Sequence, residues 1–361
     1  MENLDFKHGG NIYFQAKKNN LSVSDIIDSS ASIVPFQSPK FLIDVLYKEI
    51  KKGNYRFYPD RKLEELREVI GGFHSIHPDN ILPGNGASEL ITWVGLEASK
   101  YGKNCLPIPC FVDYERSLNS WNAEYIFKEL PKKWSNQIPQ TFPIKPLGEV
   151  LWITNPHNPT GQLWERKSLE KILKRYKLVI CDEAFLSITP NGENQSLIPL
   201  IKNHENLIVI RSLTKLFSIA GLRLGYIVGS NSILRKINQK RDPWPLNSFA
   251  IKAGITLLKD RNKYANWTKK IHNWIELEKE WIMCELKKNR QIKVHHSATN
   301  FFLIESKFSL LPNIDYLASK GILIRECVSF RSLNDKWARI SLQTHKENKK
   351  LVREIQKSFL K

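Results

Sequence analysis

The feature that most limits the fold of this chain is the alternation of short apolar runs with helical patterns between residues 60 and 230. The runs "EVLWIT" (149–154), "LVICDE" (178–183) and "NLIVIRS" (206–212) predict buried strands, and "SLEKILKRY" (168–176) predicts a helix between two of them. Strands that alternate with helices form a mostly parallel sheet with helices on both faces. The sequence therefore predicts an α/β domain.

The pattern changes after "DPWPLNSFA" (242–250), where a long helical stretch is followed by the strand-like runs "TNFFLIE", "GILIREC" and "ARISLQT". This pattern is typical of a smaller α+β domain. The first 35 residues look irregular, and we expect them to pack against that domain. We therefore predict a large domain over residues 36–245 and a smaller, discontinuous domain over residues 1–35 and 246–361.

Cysteine usage and hydropathy argue against several classes of protein. The chain has five cysteines without CxxC spacing, which favours buried reduced thiols over disulfides or a metal site. The opening "MENLDFKHGGN" lacks the apolar stretch of a secretory signal. No run approaches the roughly 20 apolar residues that a membrane span needs. We expect a cytoplasmic protein that binds neither a metal nor a membrane.

The net charge of +19 at pH 7 raises the question of nucleic-acid binding. The lysines are scattered, however, and the densest runs alternate with apolar residues at helical spacing, as solvated helix faces do. The sequence contains no nucleic-acid recognition motif. We therefore expect a basic surface that attracts anionic metabolites, with no nucleic-acid partner.

A glycine-rich turn, "PGNGASEL" (83–90), enters a predicted helix. Gly84 and Gly86 allow the backbone to approach a ligand closely, and the amides of Ala87 and Ser88 can hold phosphate oxygens, with the Ser88 hydroxyl as a further donor. An ordinary helix cap would have the same residue types. A phosphate site is therefore one of two interpretations of this turn taken alone.

Three further side chains follow predicted strands or turns, where open α/β sheets bind ligands. Phe111 in "IPCFVDY" can cover a flat ring or simply fill the core. Asn158 in "TNPHNPTG" is presented by two rigid Asn-Pro steps and can donate to a phenolate oxygen. Asp182 in "VICDEAF" ends an apolar run, where a carboxylate needs a partner; a protonated ring nitrogen or a helix N-terminus would serve.

The stretch "RSLTKLFSIAGLRLGY" (211–226) supplies Thr214, Lys215 and Arg223. A lysine in an apolar, cation-rich setting has a lowered pKa and can form an imine with an aldehyde. Thr214 and Arg223 can add phosphate donors. All these groups together match one ligand, pyridoxal 5′-phosphate, which carries an aldehyde, a phosphate, a phenolic oxygen and a basic ring nitrogen.

These motifs, in this order, resemble the fold-type-I pyridoxal-phosphate-dependent aminotransferase superfamily over nearly the whole chain. The resemblance implies that Lys215 binds the cofactor covalently and that Asp182 keeps its ring nitrogen protonated, which makes these two the catalytic residues. It also implies a homodimer in which Tyr58 in "FYPD" reaches the cofactor phosphate of the neighbouring subunit. The implied cofactor-binding residues are Tyr58, Gly86, Ala87, Ser88, Phe111, Asn158, Asp182, Thr214, Lys215 and Arg223.

Arg325 in "GILIREC" and Arg339 in "WARISLQ" lie in apolar runs, where a guanidinium needs an anion. Structural ion pairs would satisfy either residue. Two substrate anions, an α-carboxylate and a second acid such as phosphate, would satisfy both.

The motifs "HGGNIY", "IIDSSASIVP", "PCFVDYERSL" and "DPWPLNSFA" resemble the L-threonine-O-3-phosphate decarboxylases of cobalamin biosynthesis, relatives of histidinol-phosphate aminotransferases. The resemblance implies decarboxylation of O-phospho-L-threonine to 1-aminopropan-2-yl phosphate. We assign Arg339 to the α-carboxylate and His8 with Arg325 to the phosphate, and the opposite division among these three residues stays open. The implied substrate-binding residues are His8, Gly9, Ser32, Asn158, Arg325 and Arg339.

Several departures keep alternatives open. Phe185 replaces the tyrosine usual in the DEAY motif of histidinol-phosphate aminotransferases, and Ser32 replaces an asparagine common in relatives. "SFRSLND" (329–335) lacks a common Pro-Gly turn, which leaves phosphothreonine against phosphoserine undecided. The alternative activity is an aminotransferase acting on histidinol phosphate or another anionic amino acid. A regulator or nucleic-acid-binding protein that uses this fold without catalysis is a third, supported only by the charge.

Overall fold

The computed structural model describes residues 8–131, 135–143, 145 and 147–360. The strands are β1 (Ile27–Ser29), β2 (Ile81–Asn85), β3 (Asn104–Ile108), β4 (Tyr125–Glu129), β5 (Val150–Thr154), β6 (Leu178–Asp182), β7 (Leu207–Ser212), β8 (Leu224–Val228), β9 (Ile292–Val294), β10 (Phe301–Ser306), β11 (Ile322–Glu326) and β12 (Trp337–Ser341). The α-helices are α1 (Ile12–Lys18), α2 (Lys40–Lys52), α3 (Glu64–His74), α4 (Gly86–Ala98), α5 (Asp113–Ser120), α6 (Arg166–Leu173), α7 (Thr214–Phe217), α8 (Asn231–Asn238), α9 (Ser248–Lys259), α10 (Arg261–Lys287), α11 (Leu311–Ser319) and α12 (His345–Ser358).

The larger sheet has the strand order β2-β8-β7-β6-β5-β3-β4. Its pairings are parallel except at β8, which runs antiparallel to both β2 and β7. Every residue of β5, β6, β7 and β8 is buried, because helices cover both faces of the sheet and a parallel strand between two helical layers is shielded on each side. The predicted mostly parallel α/β architecture is confirmed.

The two faces of this sheet have separate apolar cores. On one face, Leu90 of α4, Leu118 of α5 and Leu234 of α8 pack together with strand residues. On the other face, Leu169 of α6 and Leu257 of α9 belong to a larger cluster. The apolar residues of the strands alternate between the two clusters, as the two-residue period of a strand requires.

The smaller sheet has the order β1-β11-β12-β10-β9 and is mixed, with β1 parallel to β11 and the other pairs antiparallel. The three strand-like runs predicted near the C-terminus are all strands of this sheet. The prediction that the first 35 residues are irregular was wrong, because they contain α1 and β1. Three residues of β1 are too few to show a strand period, and pairing with β11 fixes them. The predicted domain boundaries remain a prediction.

The long helix α10 is amphipathic, and no helix in the described part of the chain is both long enough and apolar enough to cross a lipid bilayer.

Gly225 of β8 lies where the larger sheet meets the beginning of α4. A Cβ atom on Gly225 would lie 2.9 Å from the Ala87 nitrogen, 3.0 Å from the Arg211 oxygen and 3.0 Å from the Gly86 carbonyl carbon. These are backbone atoms, which cannot rotate away as a side-chain tip can. The glycine therefore sets how closely the helix approaches the strand.

We predict that Gly225→Ala lowers the free energy of unfolding by about 1–3 kcal/mol, because the added methyl group overpacks this contact. Gly72→Ala in α3 is the matched control, since a Cβ there would meet nothing within 4 Å. In this control the alanine stabilises the helix by about 0.4–1 kcal/mol. Denaturant unfolding of the variants measures both values, and equal effects would show that the contact at Gly225 is not tight.

Candidate active site

A cavity of about 210 Å³ opens at the carboxyl ends of the parallel strands. Its wall comes from the N-terminal segment, the larger sheet and β12. The predicted site residues that line it are His8, Gly9, Ser32, Ala87, Ser88, Phe111, Asn158, Asp182, Thr214, Lys215, Arg223 and Arg339. Residues more than 300 positions apart in sequence thus share one cavity. The remaining predicted site residues, Tyr58, Gly86 and Arg325, do not line it.

The N-terminal turn of α4 and Arg223 form one end of the cavity. Gly86 has a φ of 77°, and a Cβ there would lie 2.6 Å from the Arg223 Nη2 atom, so the guanidinium lies directly against this turn. The first amides of a helix have no acceptor within the helix. With the cation beside them, they suit a phosphate. The Ser88 hydroxyl donates instead to Asp113 Oδ2 at 3.1 Å, which differs from its predicted use as a phosphate donor.

Asp182 is the last residue of β6 and is buried. The Tyr114 hydroxyl donates to its Oδ2 at 2.8 Å, and the Ala184 amide donates to its Oδ1 at 2.9 Å. Burial raises the pKa of Asp182, and these hydrogen bonds oppose the rise. A cationic ring nitrogen at this carboxylate would offset the cost of its burial. Tyr114 also lies 2.9 Å from Thr154 Oγ1. Sequence reasoning missed this tyrosine, although "PCFVDY" contains it.

Lys215 lies in the short helix α7, with its Nζ atom 5.6 Å from the centre of the Phe185 ring. Burial lowers the pKa of Lys215 to about 8, and the positive charges of Arg339 and Arg223 act in the same direction. The amine is therefore largely neutral just above pH 8, where it can attack an aldehyde. The predicted hydrophobic, cation-rich setting is present around this lysine.

Arg339 is a buried residue of β12, and its side chain contacts two other segments of the cavity wall. Its Nη1 donates to Asn158 Oδ1 at 2.6 Å, and its Nη2 donates to the Ser30 carbonyl at 2.8 Å. Its Nε atom is buried and has no hydrogen-bond partner among the described residues. Burial lowers the pKa of Arg339 to about 10. An anion beside this guanidinium would supply both a hydrogen-bond acceptor for Nε and a negative charge to balance the cation.

Arg325 faces Arg339 across the β11–β12 pair, since the two residues are in register. It donates from Nη2 to Ser329 Oγ at 2.6 Å. Arg325 does not line the cavity. Its positive charge acts on Arg339 and helps to lower the pKa of that residue. Ser32, in contrast, lines the cavity and bonds Ser341 through their hydroxyls at 2.7 Å.

The N-terminal segment closes one side of the cavity. His8 Nε2 lies 3.5 Å from Asp113 Oδ1, and its ring meets Phe111 edge to face at 5.7 Å. A Cβ on Gly9 would lie 2.3 Å from the Ser30 carbonyl oxygen, so the segment can pack this closely only with glycine. Asp113, which also binds Ser88, links this segment to α4 and was not predicted from the sequence.

Tyr58 lies outside the cavity and is 80% exposed. Its ring stacks on Trp244 at 4.4 Å. Its role at the site of a neighbouring subunit stays a prediction.

The side chains that line the cavity fit pyridoxal 5′-phosphate. A phosphate-binding turn with Arg223 occupies one end, a carboxylate partner for the ring nitrogen lies at Asp182, and an amine of lowered pKa lies at Lys215. Asn158 and Phe111 line the same space. No cluster of three or more His, Cys, Asp or Glu side chains that could hold a metal ion occurs among the described residues.

Comparison with known families settles the class. The family "Aminotransferase class I and II" matches this chain over residues 20–355. The chain belongs to this family. As a class I and II aminotransferase family member, it is a pyridoxal 5′-phosphate-dependent enzyme with the fold-type-I architecture.

Its relatives include proteins named for two different activities. A Caldanaerobacter subterraneus protein provisionally named a threonine-phosphate decarboxylase is 31% identical over 96% of this chain and 92% of its own length. A histidinol-phosphate aminotransferase of the same organism is also 31% identical, over 84% of this chain and 85% of its own length. The crystal structure of the histidinol-phosphate aminotransferase from Clostridium acetobutylicum is 29% identical, covers 91% of this chain and 97% of its own, and superposes with a TM-score of 0.80.

We predict that the rate at which the cofactor-free enzyme takes up pyridoxal phosphate rises with pH, with a midpoint near 8. The reason is that the lowered pKa of Lys215 leaves the reactive neutral amine dominant above that pH. In Arg339→Met the midpoint moves to higher pH, because one of the charges that lower this pKa is gone. Stopped-flow absorbance of the bound cofactor measures both midpoints.

Lys279→Met is the matched control for this measurement. Burial also lowers the pKa of Lys279 to about 8, but its amine bonds the Ser297 carbonyl and does not line the cavity. Its replacement should leave the midpoint in place, and Lys215→Ala should abolish the absorbance of covalently bound cofactor. A midpoint that moves with Lys279 and not with Arg339 would contradict the assignment.

Proposed function

We propose that this enzyme decarboxylates O-phospho-L-threonine to 1-aminopropan-2-yl phosphate. The observation that carries the proposal is the buried Arg339, whose Nε lacks an acceptor in the described structure and whose other nitrogens are held by Asn158 and Ser30. A substrate α-carboxylate suits this guanidinium in charge and in planar shape. The relative provisionally named a threonine-phosphate decarboxylase, which is aligned over nearly the whole chain, supports the same activity.

The substrate phosphate lies on the side of the cavity formed by the N-terminal segment. There His8 and Gly9 line the cavity, and a ring nitrogen of His8 can donate a hydrogen bond to a phosphate oxygen. Arg325 adds positive charge from the strand next to Arg339. Substrates with two anionic groups are thereby favoured over those with one.

Bound pyridoxal phosphate supplies an electron sink for the bonds at the substrate Cα. Asp182 would keep the ring nitrogen protonated, and the hydrogen bond from Tyr114 favours the ionised form of this carboxylate against the effect of burial. Arg339 orients the carboxylate that leaves as CO2. Lys215, when its amine is released from the cofactor, would be one candidate donor of the proton that replaces CO2 at Cα. His8, Phe111 and Arg339 line this space.

The alternative activity is transamination of histidinol phosphate or another anionic amino acid. The histidinol-phosphate aminotransferases that align at similar identity support it. Histidinol phosphate has a phosphate but no α-carboxylate, so it would leave Arg339 without its anion during the first half of the reaction.

We predict that the holoenzyme releases one CO2 per O-phospho-L-threonine consumed, without any keto acid. Arg339→Met should lower kcat/KM by about a hundredfold, because a buried charge partner of the substrate is lost. Arg353→Met on α12, whose side chain is 63% exposed, is the matched control and should match the wild type. Coupled CO2 detection measures the rates. The same assay with O-phospho-L-serine shows which of the two phosphorylated amino acids has the higher kcat/KM. Turnover that needs 2-oxoglutarate and yields no CO2 would establish the aminotransferase instead.

We also propose that the enzyme is a homodimer in which Tyr58 serves the neighbouring subunit. Tyr58 projects from a surface that also exposes Tyr55 and Phe57, at 62% and 67%. A surface with several exposed aromatic side chains is typical of an interface between subunits. Tyr58 stacks on Trp244 and does not line the described cavity of its own chain.

We predict that mixing Lys215→Ala and Tyr58→Ala subunits, after dissociation and reassociation, restores activity that neither variant has alone. Half of the dimers are then mixed, and each mixed dimer has one of its two sites with both residues intact. The mixture should therefore have about a quarter of the wild-type activity, if the dimer is two-fold symmetric. If Tyr58 acted within its own chain, no intact site would form, and the mixture would be no more active than the average of the two variants.

A further inference from the structure

A second cavity, of about 590 Å³, lies beside β2 and shares no lining residue with the candidate active site. One wall is formed by β2 and another by α8, and the segment after α8 closes the cavity. Its lining is rich in cations and includes Asp79 and Asp242 as its carboxylates. The five cationic lining residues are Arg61, Lys62, Arg67, Arg235 and Arg241.

Arg241 is the unusual member of this lining. Its side chain is only 1% exposed, and its Nε, Nη1 and Nη2 atoms are all buried without a hydrogen-bond partner in the part of the chain that the structure describes. The carboxylate Glu89 Oε1 lies 3.8 Å from Nε, which is beyond hydrogen-bond length. A guanidinium has five N–H donors, and leaving them all unmet in a buried position is costly. A ligand that accepts these hydrogen bonds would remove that cost.

The other charges of the cavity do not supply this acceptor. Asp79 accepts from Arg67 at 2.7 Å, and Asp242 accepts from the Trp244 amide at 2.6 Å. Arg61 lies over the Trp244 ring at 4.2 Å. Both lining carboxylates are therefore engaged, and the lining has an excess of positive charge.

We propose that this cavity binds a phosphate-bearing small molecule, whose phosphate oxygens accept from Arg241 and whose remaining negative charge faces Arg61 and Lys62. A phosphate dianion balances the excess charge better than a single carboxylate does, and its oxygens match the fork of the guanidinium. The concave shape suits a compact anion more than a nucleic-acid strand, which tracks along an open groove. The net charge of +19 attracts such anions to the surface.

The cavity adjoins the active site through Glu89. Its Oε1 faces Arg241, and its Oε2 accepts from the Asn85 amide at 3.1 Å, next to the turn that receives the cofactor phosphate. Glu89 lines neither cavity, so the two anion sites are separate, although Glu89 connects Arg241 to the first turn of α4. A binding test must distinguish between them.

The test is calorimetric titration of inorganic pyrophosphate into the holoenzyme at low salt, where the cofactor occupies its own phosphate site. We expect one binding event per chain that depends on Arg241 and is distinct from any binding of pyrophosphate at the substrate-phosphate side of the active site. Arg241→Met, which keeps the bulk of the side chain, should raise the Kd about tenfold or more, because a charged hydrogen-bond partner is lost. Arg339→Met in the active site and Arg175→Met on an exposed surface should leave the Kd unchanged.

A second variant tests the proposal if Arg241→Met does not fold. Circular dichroism would show whether Arg241→Met has lost its fold. Arg61→Ala with Lys62→Ala changes only exposed side chains at the rim of the cavity. It should raise the Kd about threefold and reduce its dependence on salt, because long-range attraction to the anion is weakened.

Four results would overturn the proposal. The first is an unchanged Kd in the rim variant, and in Arg241→Met where that variant folds. The second is loss of the binding event in Arg339→Met, which would place the anion in the active site. The third is a wild-type enzyme that does not bind pyrophosphate, together with an Arg241→Met variant that self-associates more weakly in sedimentation. This result would show that Arg241 pairs with a carboxylate of a second copy of the chain. The fourth is Arg241-dependent binding of duplex DNA without binding of pyrophosphate.

Discussion

The guanidinium of Arg339 binds Asn158, from the loop after β5, and the Ser30 carbonyl, which follows β1. It thereby joins the smaller sheet, the larger sheet and the N-terminal segment at one point. Burying a guanidinium costs less free energy when its donors have hydrogen-bond acceptors, so these contacts help to hold the three segments together. The same contact leaves the Nε edge of the guanidinium without an acceptor in the described structure. An anion at this edge would supply the acceptor that the described residues do not.

Positive charge has a second effect on the site, through Lys215. Burial lowers the pKa of Lys215 to about 8, and Arg339 and Arg223 reinforce this effect, whereas Asp182 opposes it. The arginines that attract anionic groups therefore also help to lower the pKa of the amine to about 8. Binding and reactivity depend on one arrangement of charges, because each charge is only weakly screened inside the protein.

Local sequence predicted the parts of this enzyme that depend on neighbouring residues. The strand ending at Asp182, the turn at Gly86 and the stretch around Lys215 each have a pattern that is legible within about ten residues. Contacts between distant segments were missed. The hydrogen bond from Tyr114 to Asp182 and the link from Asp113 to His8 and Ser88 join residues far apart in sequence. No periodicity of strands or helices reports such pairings.

By itself, the sequence determined the mostly parallel sheet and the cofactor class, because strand and helix periods and the order of the motifs are local properties. Only the tertiary structure decided how similar residues differ in their roles. Arg325 and Arg339 lie in similar apolar runs, yet only Arg339 lines the cavity. Arg241, one of 55 basic residues, had no distinguishing pattern. Its burial beside a cation-rich cavity arises from packing between β2, α8 and the segment that follows, which sequence periodicity does not encode.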